Sequence, residues 1–167
     1  MPTAEQDLKD AFAGESQANR RYLAFAKKAD TEGYPQIAKL FRAAAEAETI
    51  HAMNHFRVLG GVKTTEENLG VAVAGESYEY QTMYPNFFND AKAENNRGAM
   101  GTFGDAMRAE KVHHDLYVSA LEMVKSGKDL STATVWVCPV CGNVEFGAPP
   151  DKCPICSTAG SKWFEVK

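Results

Sequence analysis

Over the first three quarters of the chain, apolar residues return at spacings of three and four, the period of helices with one inward face; after about residue 130 that period is lost. Four helices follow from it. The first runs from about Ala4 to Glu32 and is stopped by Gly33, and Pro35 suits the first turn of the second. That second helix carries "IAKLFRAAAEAETIHAMNHFRVL" and ends at Gly60-Gly61. A third starts near Thr65, with Glu66 and Glu67 in a first turn where carboxylates complement the helix dipole, and runs to about Glu94, with a kink expected at Pro85. The fourth spans Arg97 to Lys125 with Gly127 as its stop, its start weakened by Gly98, Gly101 and Gly104. Beyond it, short β-prone pieces stand at 135–137, 143–146 and 163–166. The expected domains are therefore a helical one over residues 1–130 and a small one over 134–167, joined within "SGKDLSTAT", residues 126–134.

The helical part repeats itself. "AGES" occurs at residues 13–16 and again at 74–77. A shift of 61 places Glu15 on Glu76, and a shift of 62 places Glu48-Thr49-Ile50-His51 on Glu110-Lys111-Val112-His113. Each half is thus a helix pair with one carboxylate on its first helix and a Glu-x-x-His on its second. At about 100° per residue, positions three apart share a face, so each Glu and His reach a common point. Around Glu48 the sequence is small or apolar, with Leu40, Phe41, Ala44 and Ala45 before it and Met53 and Phe56 after it; Glu15 lies between Leu8, Phe12 and Tyr22. Ionised carboxylates on such stripes are costly to bury unless cations neutralise them. Glu79, one turn beyond Glu76, adds a fifth carboxylate where the first half has Ala18. A single Glu-x-x-His on a helix is ordinarily part of a solvated face, but two at matched distances from two repeated glutamates point to metal. His55 and His114 are read as structural neighbours.

Composition narrows the rest. With 44% apolar residues the chain forms a real core, and a net charge of −4 with interspersed signs offers no footprint for nucleic acid. The start "MPTAEQDLKD" lacks the pattern of a secretory signal and no apolar run approaches a membrane span, so the expectation is a cytoplasmic protein with no membrane partner. All four cysteines fall in two Cys-x-x-Cys pairs, Cys138/Cys141 and Cys153/Cys156, in "CPVCG" and "CPIC". That spacing marks a tetrahedral sulfur site and leaves zinc and iron both open. A segment this short needs such a clamp. Trp136, Phe146, Trp163 and Phe164 are expected to pack its core.

One Glu from each of two helices and a Glu-x-x-His from each of two others is the ligand pattern of ferritin-like di-iron or di-manganese bundles. With the cysteine knuckles following, the whole chain resembles rubrerythrin, an all-α ferritin-like four-helix bundle followed by a small, mostly β rubredoxin-like metal module. The resemblance implies two non-haem iron ions held by Glu15, Glu48, His51, Glu76, Glu79, Glu110 and His113, with Glu48 and Glu110 bridging. It implies one further iron held by Cys138, Cys141, Cys153 and Cys156, where zinc is the alternative. In that family one iron moves between the carboxylate matching Glu79 and the histidine matching His51 as its oxidation state changes. Tyr22 and Tyr84 match tyrosines that hydrogen-bond ligands, and either equally suits a core position. The implied activity is a peroxidase reducing hydrogen peroxide to water, with electrons relayed through the tetrathiolate iron. They would come from a separate NAD(P)H-linked reductase, a rubredoxin or a ferredoxin; the chain has no Gly-rich dinucleotide fingerprint of its own. Ferritin-like oxidation and storage of ferrous iron is the rival function, and a zinc-stapled bundle used for assembly a third.

In such bundles the second and third helices run parallel, so the connection must travel back along the bundle. From Glu48 to the end of its helix and from the start of the third helix to Glu76 leaves roughly 30 Å to cover at 1.5 Å per residue. Residues 60–65 extend only about 20 Å. The expectation is a homodimer that exchanges helix pairs; the rival is an all-antiparallel single-chain bundle.

Overall fold

The computed structural model describes residues 3–131 and 133–167, so the first two residues and Thr132, within the expected 126–134 boundary, lie outside the described residues. Its helices are α1 (Ala4–Thr31), α2 (Pro35–Val58), α3 (Thr65–Tyr78), α4 (Tyr84–Ala93) and α5 (Arg97–Lys125), with a π-helical turn at Glu79–Met83 between α3 and α4. Three short strands follow, β1 (Val135–Val137), β2 (Val144–Phe146) and β3 (Phe164–Val166). The expected fold class, all-α with a small mostly β module after it, is the one observed. The chain divides into two compact units, one through Lys63 and one from Thr64.

Local chemistry sets each helix end. Thr3 caps α1 by accepting from the Gln6 N–H at 3.2 Å. At its other end the Tyr34 N–H reaches the Ala29 carbonyl at 2.9 Å around Gly33, whose φ of +82° a side chain would resist. Pro35 opens α2, where its missing N–H costs nothing. Thr64 and Glu67 cap α3 reciprocally in a capping box. Asn96 caps α5 by accepting from the Ala99 N–H at 3.0 Å.

The third helix is where the expectation needs correction. The segment expected as one helix is interrupted just ahead of Pro85. The Tyr84 N–H bonds back to the Glu79 carbonyl, five residues earlier, giving a π turn just ahead of the proline. This turn inserts an extra residue between Glu76 and the rest of the segment, a device found mostly where a helix has to present particular side chains.

In the first unit α1 packs on α2 through small residues. Ala26, Ala29 and Ala38 are buried together with Phe41 against them, and Ala45 and Ala52 continue the seam. Alanines let the helix backbones approach closely, and Asn19 uses that approach to donate to both the Ala45 carbonyl and Thr49 Oγ1, each at 2.8 Å. The Phe12 and Phe56 rings stack at 4.9 Å near the open end, and a Cβ at Gly61 would run into Phe56. Large apolar residues of the same hairpin remain outside: Leu40 is 65% and Ile50 61% exposed. The apolar stripe read around Glu48 is accordingly split, Phe41 and Ala45 facing α1 while Leu40 and Met53 stay exposed.

In the second unit α3 and α4 pack on α5, with Ala91 and Ala109 buried and Tyr84, Phe87 and Phe103 in ring contact. The strands form an antiparallel sheet in the order β2-β1-β3, with Val135 opposite both Phe146 and Val166. Cys138, Cys153 and Trp163 are buried there, with Trp136, Cys141, Ile155 and Cys156 packed around them. Phe146 and Phe164 do not join that core. Phe164 is 51% exposed, because strands of three residues alternate faces and its neighbour Trp163 takes the inward position.

Ala38 is fully buried where α1 meets α2. Replacing it by leucine is expected to destabilise by about 1–3 kcal/mol through overpacking. A lower denaturant midpoint would register this; an unchanged one would contradict the close helix approach.

Candidate metal centres

Two groups of three donors stand at equivalent places in the two units. In the first, ligand atoms of Glu15 on α1 and of Glu48 and His51 on α2 all lie within 4.8 Å of one another. In the second the same holds for Glu76 on α3 with Glu110 and His113 on α5. Helical spacing makes the Glu-x-x-His pairs: His51 Nδ1 is 2.8 Å from Glu48 Oε2, and His113 Nδ1 is 2.7 Å from Glu110 Oε2. The carboxylates on the first helices come in across each hairpin, Glu76 Oε2 reaching 4.0 Å from His113 Nδ1. All six carboxylate and imidazole groups are oxygen or nitrogen donors, a set suited to iron or manganese.

The electrostatics of the second group call for a cation. Burial, the adjacent Glu110 carboxylate and a hydrogen bond shared with it raise Glu76 to about 7 against an opposing pull from His113. Burial raises Glu79 as well, with Glu110 adding to it. Glu79 stands outside the close trio yet within reach of its field, on the π turn. Tyr84, at the end of that turn, is raised by burial and then by the charges of Glu110, Glu79 and Glu76, so its phenol faces the same carboxylates. Tyr22 makes its ring contacts with Phe25 and Phe41 on the first hairpin. His114 turns away to Asp115, at 3.0 Å, and to the Tyr80 ring.

The two histidines are not equivalent. His51 has a side chain 54% exposed, and Glu48 is its hydrogen-bond partner. His113 is only 22% exposed and held at both nitrogens, because Nε2 is 2.9 Å from the Gly142 carbonyl oxygen. A carbonyl only accepts, so Nε2 carries a proton, and Nδ1 is the nitrogen left facing Glu110 and Glu76, where a bound metal would take the place of the proton held between Nδ1 and Glu110. Metal-ligating imidazoles are oriented in this way by a partner on the far nitrogen. Sequence reading missed this contact, since a backbone carbonyl leaves no mark in side-chain spacing; the glycine closing "CPVCG" is the only trace.

Gly142 belongs to the first of two cysteine knuckles. The Cys138 N–H bonds to the Asn143 carbonyl and the Gly142 N–H to the Cys138 carbonyl, with Gly142 at φ +79°. The second knuckle repeats this with Ser157 at φ +62° and its N–H on the Cys153 carbonyl. All four sulfurs lie within 4.8 Å of one another, Cys138 to Cys156 at 3.6 Å and Cys141 to Cys153 at 3.5 Å. Those separations are far too long for disulfides and close to the ~3.8 Å between corners of a tetrahedron with ~2.3 Å metal–sulfur bonds. Burial pushes the Cys141 and Cys153 thiols up. It works against Cys156 too, but the Thr158 hydroxyl and backbone and the neighbouring sulfurs outweigh it and bring that thiol down to about 7. A thiol cluster of this kind ionises as a whole only around a cation.

Comparison with known proteins finds relatives for both the helical part and the cysteine module. The Rubrerythrin family profile matches residues 7–121, and that of the "Rubrerythrin, rubredoxin-like domain" matches residues 136–165. Rubrerythrin-2 of Clostridium acetobutylicum is 36% identical, covering 93% of this chain and 92% of its own. Nigerythrin of Nitratidesulfovibrio vulgaris is also 36% identical, covering 90% of this chain and 80% of its own. Solved structures of nigerythrin in a partially reduced and in a fully reduced, all-ferrous state align with TM-scores of 0.59 at 32% identity, covering 99% of this chain and 88% of theirs. No helix among the described residues is long and apolar enough to cross a membrane.

In metal-free protein the folded state holds a proton on Glu76 that the unfolded state releases from about pH 4.5 upward, so its stabilising contribution is lost as pH rises through about 7. The thermal midpoint of metal-free wild type is expected to fall relative to Glu76→Gln over that interval. A difference that stays flat or reverses would contradict the shared proton.

Proposed function

Because the chain belongs to the rubrerythrin family, we propose that Glu15, Glu48 and His51 of one hairpin join Glu76, Glu79, Glu110 and His113 of another around two iron ions, and that the four cysteines hold a third. The protein is a di-iron peroxidase with a rubredoxin-like relay. The observation that carries this reading is His113, whose one nitrogen faces the carboxylates while the other is hydrogen-bonded to the cysteine knuckle. A storage protein has no use for such a connection; an enzyme that must be re-reduced after every turnover does.

When bound there as ferrous ions, the two irons would supply the two electrons that, with two protons, reduce hydrogen peroxide to two waters. The residues do the rest. Glu48 and Glu110, each beside its own histidine, would be among the carboxylates that hold the ions. Glu79, carried on the π turn beside the trio, is a carboxyl whose proton affinity is raised when no metal is bound, and it serves as the proton-handling group when disengaged. Exposed and held on one side only, His51 is free to come and go as a ligand, whereas His113 is fixed. Tyr84 would supply a phenol to the carboxylates, and Tyr22 would be its counterpart from the first hairpin. Re-reduction draws on a separate NAD(P)H-linked reductase, a rubredoxin or a ferredoxin.

The assembly proposed is a homodimer with exchanged helix pairs. Six residues, 59–64, connect α2 to α3 and extend about 20 Å, short of the roughly 30 Å return that one chain would need. Exposed Leu40 and Ile50 give the first hairpin an apolar surface for another to cover. Glu48→Ala/His51→Ala protein mixed with Glu76→Ala/Glu110→Ala protein tests it. Exchange leaves one intact centre in each mixed dimer and restores di-iron content, whereas a single-chain bundle leaves none.

For the reaction itself, reduced iron-loaded protein mixed with peroxide in a stopped-flow instrument should regain the ferric tetrathiolate colour. If the colour stays bleached while all metals are confirmed present, the relay is excluded.

A further inference from the structure

The sulfur cluster receives hydrogen bonds of two kinds. Backbone N–H groups of Asn143, Ile155, Cys156 and Thr158 point at the sulfurs of Cys141, Cys153 and Cys156, the pattern that follows from folding a Cys-x-x-Cys segment into a knuckle. One side chain adds to them. Thr158 Oγ1 lies 3.1 Å from Cys156 Sγ, just past the second knuckle, and its backbone is fixed because the Cys153 N–H bonds to the Thr158 carbonyl at 2.8 Å. A metal-bound thiolate has no proton to give, so in the loaded protein the hydroxyl must be the donor.

We propose that Thr158 is a positioning residue for electron transfer: its hydroxyl, hydrogen-bonded to Cys156 Sγ, raises the reduction potential of the tetrathiolate iron. The reason is charge. One-electron reduction of ferric to ferrous iron by the external reductase adds a full negative charge to the four-thiolate cluster, and a hydroxyl dipole aimed at one sulfur stabilises the more negative state. Hydrogen bonds to the sulfurs are among the means by which proteins set iron–sulfur potentials. This bond sits on the knuckle that does not touch His113, so it alters how readily the relay accepts an electron without disturbing its exit contact at Gly142. Its consequence is a relay that fills easily from a weak reductant and hands electrons on with a smaller driving force.

The inference rests on the proposed iron occupancy of the cysteine site, and the experiment separates the two. Full-length iron-loaded wild type, Thr158→Val and Thr158→Ser are titrated anaerobically while the ferric thiolate absorption is followed. Valine keeps the shape and removes the donor; serine restores it. Thr158→Val is expected to shift the reduction equilibrium at least threefold towards ferric, a midpoint about 28 mV lower at 59 mV per tenfold for one electron. Thr158→Ser is expected to return to the wild-type value. Should Thr158→Val fail to hold iron, Thr158→Ala gives the same comparison with serine. Coloured variants with an unmoved midpoint, or a serine variant that does not recover, overturn the role of Thr158. A wild type that takes up no coloured iron at the cysteines overturns the relay reading beneath it.

Discussion

Carboxylates withdrawn from water next to one another need a positive charge between them, and the helical part of this chain is built around that need. Glu76 and Glu110 share a half-buried place and a hydrogen bond, Glu79 stands beside them, and Glu15 and Glu48 make the matching half. Brought together as proposed, five glutamates and two neutral imidazoles would carry about five negative charges, which two iron ions would largely balance. The duplicated sequence follows from the same constraint. One hairpin gives three close donors, too few to satisfy a pair of ions, so the proposed centre would need two hairpins, from one chain or from two.

The second constraint is delivery of electrons, and in the proposed relay it would act through His113. Its ring joins two chemistries that the sequence places 25 or more residues apart, carboxylates on α5 and thiolates on the knuckles. A proton held on Nε2 by the Gly142 carbonyl would leave Nδ1 for the proposed metal, so one hydrogen bond both orients the ring and ties the cysteine module to the helices. His51 lacks that tie. The repeat is therefore symmetric in its residues and asymmetric in its freedom, which suits a centre where one position stays put and the other responds to oxidation state.

Much of this was legible in the letters. The 3.6-residue period with Gly33, Pro35, Gly60-Gly61 and Gly127 defines helices to within a residue or two, because breakers act locally. The three donor groups follow from spacing, since residues three apart on a helix and Cys-x-x-Cys in a knuckle are geometrically bound to converge. What spacing does not encode stayed hidden. The π turn at Glu79–Met83 depends on which carbonyl the Tyr84 N–H selects, and alanine-lined packing of α1 on α2 leaves Leu40 exposed while Ala38 is buried and Phe41 packs against it. The Gly142 carbonyl and the Thr158 hydroxyl matter through where the folded chain puts them. Phe164 reads as a core aromatic by type and lies outside by strand alternation.

The direct measurement is a crystal structure of iron-loaded protein phased on the anomalous signal of iron. The account predicts two peaks about 3.5–4 Å apart, touched on one side by Glu15, Glu48 and His51 and on the other by Glu76, Glu110 and His113, with a third peak among the four sulfurs. Iron found singly within separate hairpins, or those side chains turned into solvent with no paired peaks between them, would contradict it.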